Sequence, residues 1–132
     1  MEKQGKILLI DDDPDFVEAT KIVLESRPYE VITALDGDKG IEKARAEKPD
    51  VIILDIIMPT KDGFAVCEQL KKEPDLASIP VLMLTSFSER VGETSLSIAQ
   101  GLTLEAEDYV DKPVAPEELL NRVGRLLKKR RQ

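Results

Sequence analysis

The sequence predicts an open α/β fold, in which a parallel sheet lies between two layers of helices. Short apolar runs rich in β-branched residues recur along the chain. Their apolarity is continuous rather than alternating, as in strands that are covered on both faces. Segments of helical length separate the runs, so strand and helix alternate along the whole chain. This alternation implies right-handed β-α-β crossovers and therefore parallel strands.

The individual elements follow from the local pattern. The predicted strands are residues 7–10, 31–34, 51–54, 81–84 and, more weakly apolar, 109–110. Between them, apolar residues recur at the spacing of a helix that buries one face. The predicted helices are residues 14–26, 38–47, 63–72, 86–103 and 116–129. Because segment 86–106 is rich in Ser, Thr and Gly, which are mediocre or poor helix formers, its structure is left open.

Length and composition bound the class of protein. The 132 residues suit a single domain, with a core at about 5–127 and a short basic tail at 128–132. The formal charge of −7 argues against direct nucleic-acid binding, which depends on Lys and Arg meeting phosphates. The longest apolar runs are about five residues, far short of the roughly 20 that span a bilayer. We therefore expect a soluble domain without membrane insertion.

The chain contains one cysteine and no histidine. Cys67 cannot form a disulfide within the chain, and no stretch has the layout of a signal peptide, so we expect a cytoplasmic location. Without histidine, a Ser-His-Asp triad, a Cys-His pair and a His-ligated zinc site are excluded. Any chemistry must use carboxylates, hydroxyls and lysines.

The first strand runs directly into three consecutive carboxylates, in "LLIDDDPD" (8–15). Asp13 followed by Pro14 is the pattern of a helix start, with Asp as N-cap and Pro at the first helical position. One helix has one N-cap, so capping does not explain Asp11 and Asp12. These two carboxylates need another partner.

Further polar residues follow the other strands. In an open α/β sheet, ligands bind outside the carboxyl ends of the strands, where Asp11, Asp12, Asp55, Thr85 and Lys112 are all expected to lie. Two carboxylates about 5 Å apart repel by about 3 kcal/mol at an effective dielectric of ~20. A divalent cation removes this repulsion, and an all-oxygen ligand set indicates Mg²⁺, with Mn²⁺ as a substitute. Together with a hydroxyl and an ammonium, this set can support phosphoryl transfer to Asp55.

Two other classes of protein could place polar residues at the carboxyl ends of such strands. A Mg²⁺-dependent phosphohydrolase or nuclease would need a general acid for the leaving group, but the chain has no histidine and no second Asp close after Asp55. A flavin-binding module is suggested by the fold class alone. Its phosphate loop should offer Ser, Thr and Gly after the first strand, whereas the carboxylates found there would repel phosphate.

Four segments of the chain resemble the receiver domain of two-component response regulators. They are "ILLIDDD" (7–13), "PDVIILDIIMPTKDG" (49–63), "IPVLMLTS" (79–86) and "EDYVDKPV" (107–114), in the order and approximate spacing of that family. The resemblance covers about residues 5–127. It implies a flavodoxin-like sheet of five parallel strands in the order 2-1-3-4-5, with helices on both faces.

The resemblance also implies a role for each site residue. Asp55 would accept a phosphoryl group, and Mg²⁺ would be held by Asp11, Asp12, Asp55 and the backbone carbonyl of Ile57. Thr85 and Lys112 would contact the phosphoryl oxygens. Tyr109 matches the aromatic switch position, and the peptide bond between Lys112 and Pro113 matches a junction that is usually cis.

The resulting expectation is a phosphorylation-controlled signalling switch that is not an enzyme and that catalyses only its own phosphoryl transfer and dephosphorylation. A histidine kinase or histidine phosphotransfer protein would donate the phosphoryl group. The face formed by the helix at 86–103, the fifth strand and the last helix would then change and regulate a downstream protein, with the domain as a monomer or weak dimer. The alternative is a receiver that binds partners without being phosphorylated.

Overall fold

The computed structural model describes residues 4–58, 62–85 and 106–130, and of Thr85 it describes the backbone. The strands are β1 (Gly5–Ile10), β2 (Tyr29–Ala34), β3 (Val51–Asp55), β4 (Val81–Thr85) and β5 (Asp108–Asp111). The helices are α1 (Pro14–Glu25), α2 (Gly37–Glu47), α3 (Gly63–Lys72) and a C-terminal helix (Pro116–Arg130). These bounds agree with the prediction within two residues at each end. The helix predicted at 86–103 lies outside the described residues.

The sheet contains five parallel strands in the order β2-β1-β3-β4-β5, which confirms the predicted fold class and strand order. The register aligns the carboxyl ends of the central strands. Ile10 pairs with Leu54, and Asp55 pairs with Leu84, so the residues that follow β1 lie level with the end of β3. Thr85 pairs with Asp111, which places Lys112 just beyond the same edge.

Both faces of the sheet are covered, as the continuous apolar strands predicted. Alternate strand residues such as Leu8 and Ile52 pack with Ile41 of α2 and Val66 of α3 on one face. Their neighbours, including Ile7 and Ile53, pack on the other face with Leu24 of α1 and Val123 of the C-terminal helix. The sheet is therefore the middle of three layers. Because helices cover both of its faces, polar groups that follow the strands lie at the strand ends.

β1 and β2 begin earlier than their apolar runs. Gly5 and Lys6 pair with Tyr29 and Glu30 in the parallel ladder. The ladder is made by backbone groups, which every non-proline residue carries, so Gly5, Lys6 and Glu30 can extend it beyond the apolar runs. Lys6 keeps its ammonium at the surface, where it pairs with Glu47 at 3.0 Å.

Aspartates cap three of the helices. Asp13 Oδ1 accepts hydrogen bonds from the backbone amides of Asp15 and Phe16, which confirms the predicted cap of α1. Asp36 and Asp62 cap α2 and α3 in the same way. Within the described ranges, no helix combines the length and apolarity required to cross a bilayer.

Candidate functional site at the carboxyl edge of the sheet

Three carboxylates converge beyond β1 and β3. One oxygen from each of Asp11, Asp12 and Asp55 lies within 4.8 Å of the others. Asp11 and Asp55 are 0% and 3% exposed, whereas Asp12 is exposed to solvent. The carboxylates of Asp11 and Asp55 are therefore nearly inaccessible to water, whereas that of Asp12 is in contact with solvent.

Lys112 supplies a positive charge to this group. Its Nζ lies 2.8 Å from Asp11 Oδ2 and 3.6 Å from Asp55 Oδ1, with the side chain 19% exposed. The same Nζ sits 4.2 Å from the centre of the Phe16 ring. Lys112 directly follows β5, and its bond to Pro113 is cis, as the resemblance implied. Residues 101 positions apart in the chain thus meet in one site.

The turn after β1 fixes the orientation of Asp11. Its Oδ1 accepts a hydrogen bond of 3.0 Å from the backbone amide of Asp13, and its Oδ2 faces Lys112. Asp13 in turn caps α1. The three consecutive aspartates therefore have separate surroundings: Asp11 is buried and paired, Asp12 faces solvent, and Asp13 caps a helix.

The pKa of Asp55 is raised to about 6 by the sum of several effects, of which burial is the largest, because an apolar environment disfavours the charged carboxylate. The neighbouring charge of Asp11 is the second cause, and that of Asp12 adds a smaller effect in the same direction. Lys112 and the amide of Ile57, which donates to Asp55 Oδ1 at 3.4 Å, act in the opposite direction. The raised pKa shows that Lys112 alone does not compensate for the burial and crowding of these carboxylates.

The residues present fit a divalent cation. Three carboxylates and one ammonium leave a formal charge of −3 + 1 = −2, which one divalent ion neutralises. The donor atoms are carboxylate oxygens, which suit Mg²⁺ and Mn²⁺. The Lys112 ammonium supplies part of the compensating positive charge, because it is bound to the Asp11 carboxylate and lies close to that of Asp55.

α3 begins against the floor of the site. The amide of Gly63 donates to the Ile56 carbonyl at 2.7 Å, directly after Asp55. A Cβ atom on Gly63 would collide with the backbone carbonyl oxygen of Asp55 and with the Cα of Ile56. The site therefore depends on a glycine at this position. Sequence reasoning did not single it out, although the glycine after the Asp62 cap was a visible signal.

The remaining predicted residues lie on the same edge or next to it. Thr85 ends β4, and its backbone pairs with Asp111, but its side chain lies outside the described part of the chain. Ile57 contacts Asp55 through its amide. Tyr109 lies on β5 with its ring partly buried against the core that faces α2 and α3, and this burial raises the pKa of its hydroxyl. Phe16 lies in the helix predicted at 14–26, and its contact with Lys112 was not predicted from the sequence.

Comparisons with known proteins agree with the resemblance. A family model described as "Response regulator receiver domain" matches residues 7–124. The chain is 40% identical over 124 residues to the alkaline phosphatase synthesis transcriptional regulatory protein PhoP of Bacillus subtilis, covering 94% of this chain and 49% of that protein. It is 44% identical over 124 residues to the DNA-binding dual master transcriptional regulator RpaA of Synechocystis, with the same coverage. The chain spans about half the length of the curated relatives it matches.

Solved structures show the same architecture. A putative response regulator from Chloroflexus aurantiacus has a TM-score of 0.82 at 34% identity, with 94% of this chain and 98% of that chain covered. The receiver domain of a histidine kinase from Syntrophus aciditrophicus has a TM-score of 0.85 at 34% identity, with 95% and 91% covered. The chemotaxis protein CheY4 of Vibrio cholerae has a TM-score of 0.81 at 31% identity, with 96% and 99% covered. The chain therefore belongs to the response regulator receiver domains of two-component signalling systems.

Proposed function

We propose that this domain is a signalling switch that accepts a phosphoryl group on Asp55 and that holds Mg²⁺ through Asp11, Asp12, Asp55 and the Ile57 carbonyl. The observation that carries the proposal is the convergence of three carboxylates within 4.8 Å, with the Lys112 ammonium bound to one of them and 3.6 Å from Asp55. A cluster built only for stability would not keep a net charge of −2 around a nearly buried aspartate.

Asp55 has the features of a nucleophile. With a pKa of about 6, it is mostly ionised at neutral pH, and its burial removes the water shell that would weaken a nucleophilic oxygen. An Asp55 oxygen attacks the phosphorus of a phosphohistidine, a new O–P bond forms, and the P–N bond breaks with its electrons leaving on the histidine nitrogen. The donor histidine belongs to a partner, because this chain has none.

The other residues compensate charge during this transfer. Lys112 is 3.6 Å from Asp55, close enough for its ammonium to reach a phosphoryl oxygen on that side chain. Thr85 ends the neighbouring strand and would supply a hydroxyl to another phosphoryl oxygen. Bound Mg²⁺ would offset the negative charge that spreads over the phosphoryl oxygens. Asp12, the exposed carboxylate, would mark the side from which the ion enters.

The signal would leave through β5 and the C-terminal helix, which the resemblance implies form one face with segment 86–103. Arg122 of the C-terminal helix donates to Asp108 Oδ1 at 2.8 Å and to the Tyr109 carbonyl at 3.1 Å. These bonds join the C-terminal helix to β5 beside Tyr109, the proposed switch residue. A phosphoryl group adds a charge of about −1.5 to −2 and would draw Thr85 towards it, with Tyr109 following. The face would thereby shift between pre-existing conformations.

The partners follow from this mechanism. A histidine kinase or a histidine phosphotransfer protein donates the phosphoryl group, and a second protein surface, on a separate protein or on another domain, reads the changed face. Two of the similar relatives are named as transcriptional regulators and are about twice as long as this chain. We place this signalling in the cytoplasm, as the sequence predicts.

The test uses a small phosphodonor in place of the kinase. The domain is incubated with Mg²⁺ and acetyl phosphate or phosphoramidate, and intact mass is measured for the wild type and for Asp55→Asn. We expect one phosphate adduct on the wild type, none on Asp55→Asn, and none on the wild type when EDTA replaces Mg²⁺. Asp62→Asn, which changes a helix cap rather than the carboxylate cluster, is the matched control and should still form the adduct.

Other outcomes would refute the proposal in different ways. An unmodified wild type with both donors would favour a receiver that binds partners without phosphorylation. Release of product from a phosphodiester without an adduct would favour the hydrolase. An adduct of equal yield on Asp55→Asn would place the modification on another residue.

A further inference from the structure

Phe16 places an aromatic ring against the ammonium of Lys112 at the edge of the site. It is the third residue of α1, half-buried, and part of its surface packs against the core beneath α1 and the C-terminal helix. Another part faces Lys112, whose Nζ lies 4.2 Å from the ring centre. This distance is well inside the roughly 6 Å at which a cation is attracted by the face of an aromatic ring.

The ring and the carboxylate that hold Lys112 are fixed by the same turn. Asp13 donates its amide to Asp11 Oδ1 and accepts the amide of Phe16 at its own Oδ1. Asp11 and Phe16 therefore project from one hydrogen-bonded turn, and Lys112, at the end of β5, contacts both of them. The ammonium sits against both of them, with Asp55 Oδ1 at 3.6 Å as the next acceptor.

We propose that Phe16 is a positioning residue for Lys112: its ring covers one side of the ammonium and holds it between Asp11 and Asp55. This inference rests on the proposed phosphoryl transfer for its purpose, but its geometry is independent of that function. An ammonium carries three donors on a flexible chain, and water would normally occupy those that no protein group accepts. A ring over one side excludes water there and attracts the cation without fixing it to a single oxygen. Lys112 can then move from Asp11 towards a group on Asp55 without leaving the ring.

The arrangement gives opposite effects on two measurable quantities. While Lys112 is held against Asp11, it competes with Mg²⁺ for the same carboxylate, so loss of the ring should tighten Mg²⁺ binding. The same loss should slow phosphoryl transfer at saturating Mg²⁺, because the ammonium is less often beside Asp55. Even a cation–π contact at the weak end of the usual range corresponds to a change of about three-fold in each quantity. A purely structural role would weaken both, through loss of folded protein.

The test compares Phe16→Leu with Phe16→Tyr in the full chain. Leu keeps apolar volume and removes the ring face, whereas Tyr keeps the ring. Val23→Ala is the packing control, since Val23 is half-buried on the same helix about two turns away. For each protein we would measure Mg²⁺ affinity by titration, the rate of adduct formation with acetyl phosphate, and the NMR shifts of the Lys112 ε-methylene protons.

We expect the ε-methylene protons to be shifted upfield by the ring in the wild type and in Phe16→Tyr, and to lose that shift in Phe16→Leu. Phe16→Leu should also bind Mg²⁺ about three-fold more tightly and react about three-fold more slowly, while Phe16→Tyr stays near the wild type. Wild-type values of all three quantities in Phe16→Leu would overturn the inference. If the wild type forms no adduct, the proposed function fails, but the NMR shifts and Mg²⁺ affinities still decide the role of Phe16.

Discussion

Glu107, immediately before β5, accepts hydrogen bonds from the Lys71 ammonium at both carboxylate oxygens, each at 3.0 Å. One of these oxygens also accepts the backbone amide of Val81 at 2.7 Å, and Lys71 further donates to the Ile79 carbonyl at 2.9 Å. The pair thus joins the end of α3 to the beginnings of β4 and β5. It lies at the opposite edge of the sheet from the carboxylate cluster.

The first prediction concerns the stability of this ion pair. The Lys71 side chain is 6% exposed, so removal of its partner leaves a charge with little access to water. We expect Glu107→Ala to lower the free energy of unfolding by about 3 kcal/mol in a urea titration. Glu68→Ala is the control, because Glu68 pairs with Lys72 at a similar distance but in solvent, and it should cost less than about 1 kcal/mol. Equal losses in the two variants would contradict the assigned role of burial.

The second prediction follows from the pKa of Asp55. Because this pKa is raised from 3.8 to about 6 in the folded domain, the folded state binds a proton more tightly than the unfolded chain. The corresponding stabilisation is fully present below pH 3.8 and is lost as the pH rises through about 6. Asp55→Asn has no such loss, so at pH 7 without Mg²⁺ it should be more stable than the wild type by about 2 to 3 kcal/mol. Urea titrations at several pH values would measure the difference.

The control for this prediction is the same pair of proteins in saturating Mg²⁺, where a bound ion would compensate the Asp55 charge and the difference in stability should shrink. A stability difference that is the same at pH 4 and pH 7 would show that the charge of Asp55 is not its cause.

The third prediction concerns metal binding by the exposed carboxylate. Asp12 faces solvent but repels the buried carboxylates beside it, so Asp12→Asn should not lower the metal-free stability and should raise it by up to about 1 kcal/mol. Millimolar Mg²⁺ should raise the Tm of the wild type clearly, and that of Asp12→Asn much less, because a ligand that binds only the folded state stabilises it. Thermal unfolding with Mg²⁺ or with EDTA measures both effects. Asp15→Asn, an exposed acid on the first turn of α1, should respond to Mg²⁺ as the wild type does.

The fourth prediction concerns the glycine below the site. Gly63→Ala places a methyl group against the backbone of Asp55 and Ile56, which cannot swing away as a side chain can. We expect a loss of about 1 to 3 kcal/mol in the free energy of unfolding, together with weaker Mg²⁺ binding. Gly124→Ala is the matched control, since the nearest atom to its added Cβ is the Tyr29 hydroxyl at 4.0 Å. In that helix interior the alanine should stabilise the domain by about 0.5 to 1 kcal/mol.

The sequence alone determined the layers and the edge on which the polar residues lie. Continuous apolar strands such as 51–54 require cover on both faces, and a parallel sheet brings all strand ends to one edge. These rules placed Asp11, Asp55 and Lys112 near one another although they are far apart in the chain. They also identified Asp13 as a cap, because capping depends only on neighbouring residues.

Only the tertiary structure decided how those residues share their charges. That Lys112 lies closer to Asp11 than to Asp55, and that Phe16 covers its ammonium, depends on the exact separation of α1 from the end of β5. The burial that raises the pKa of Asp55, and the close approach that requires Gly63, likewise arise from packing between distant segments. Residue types and their order specify which groups can meet. The distances between those groups, and their burial, are set by the packing of the whole core.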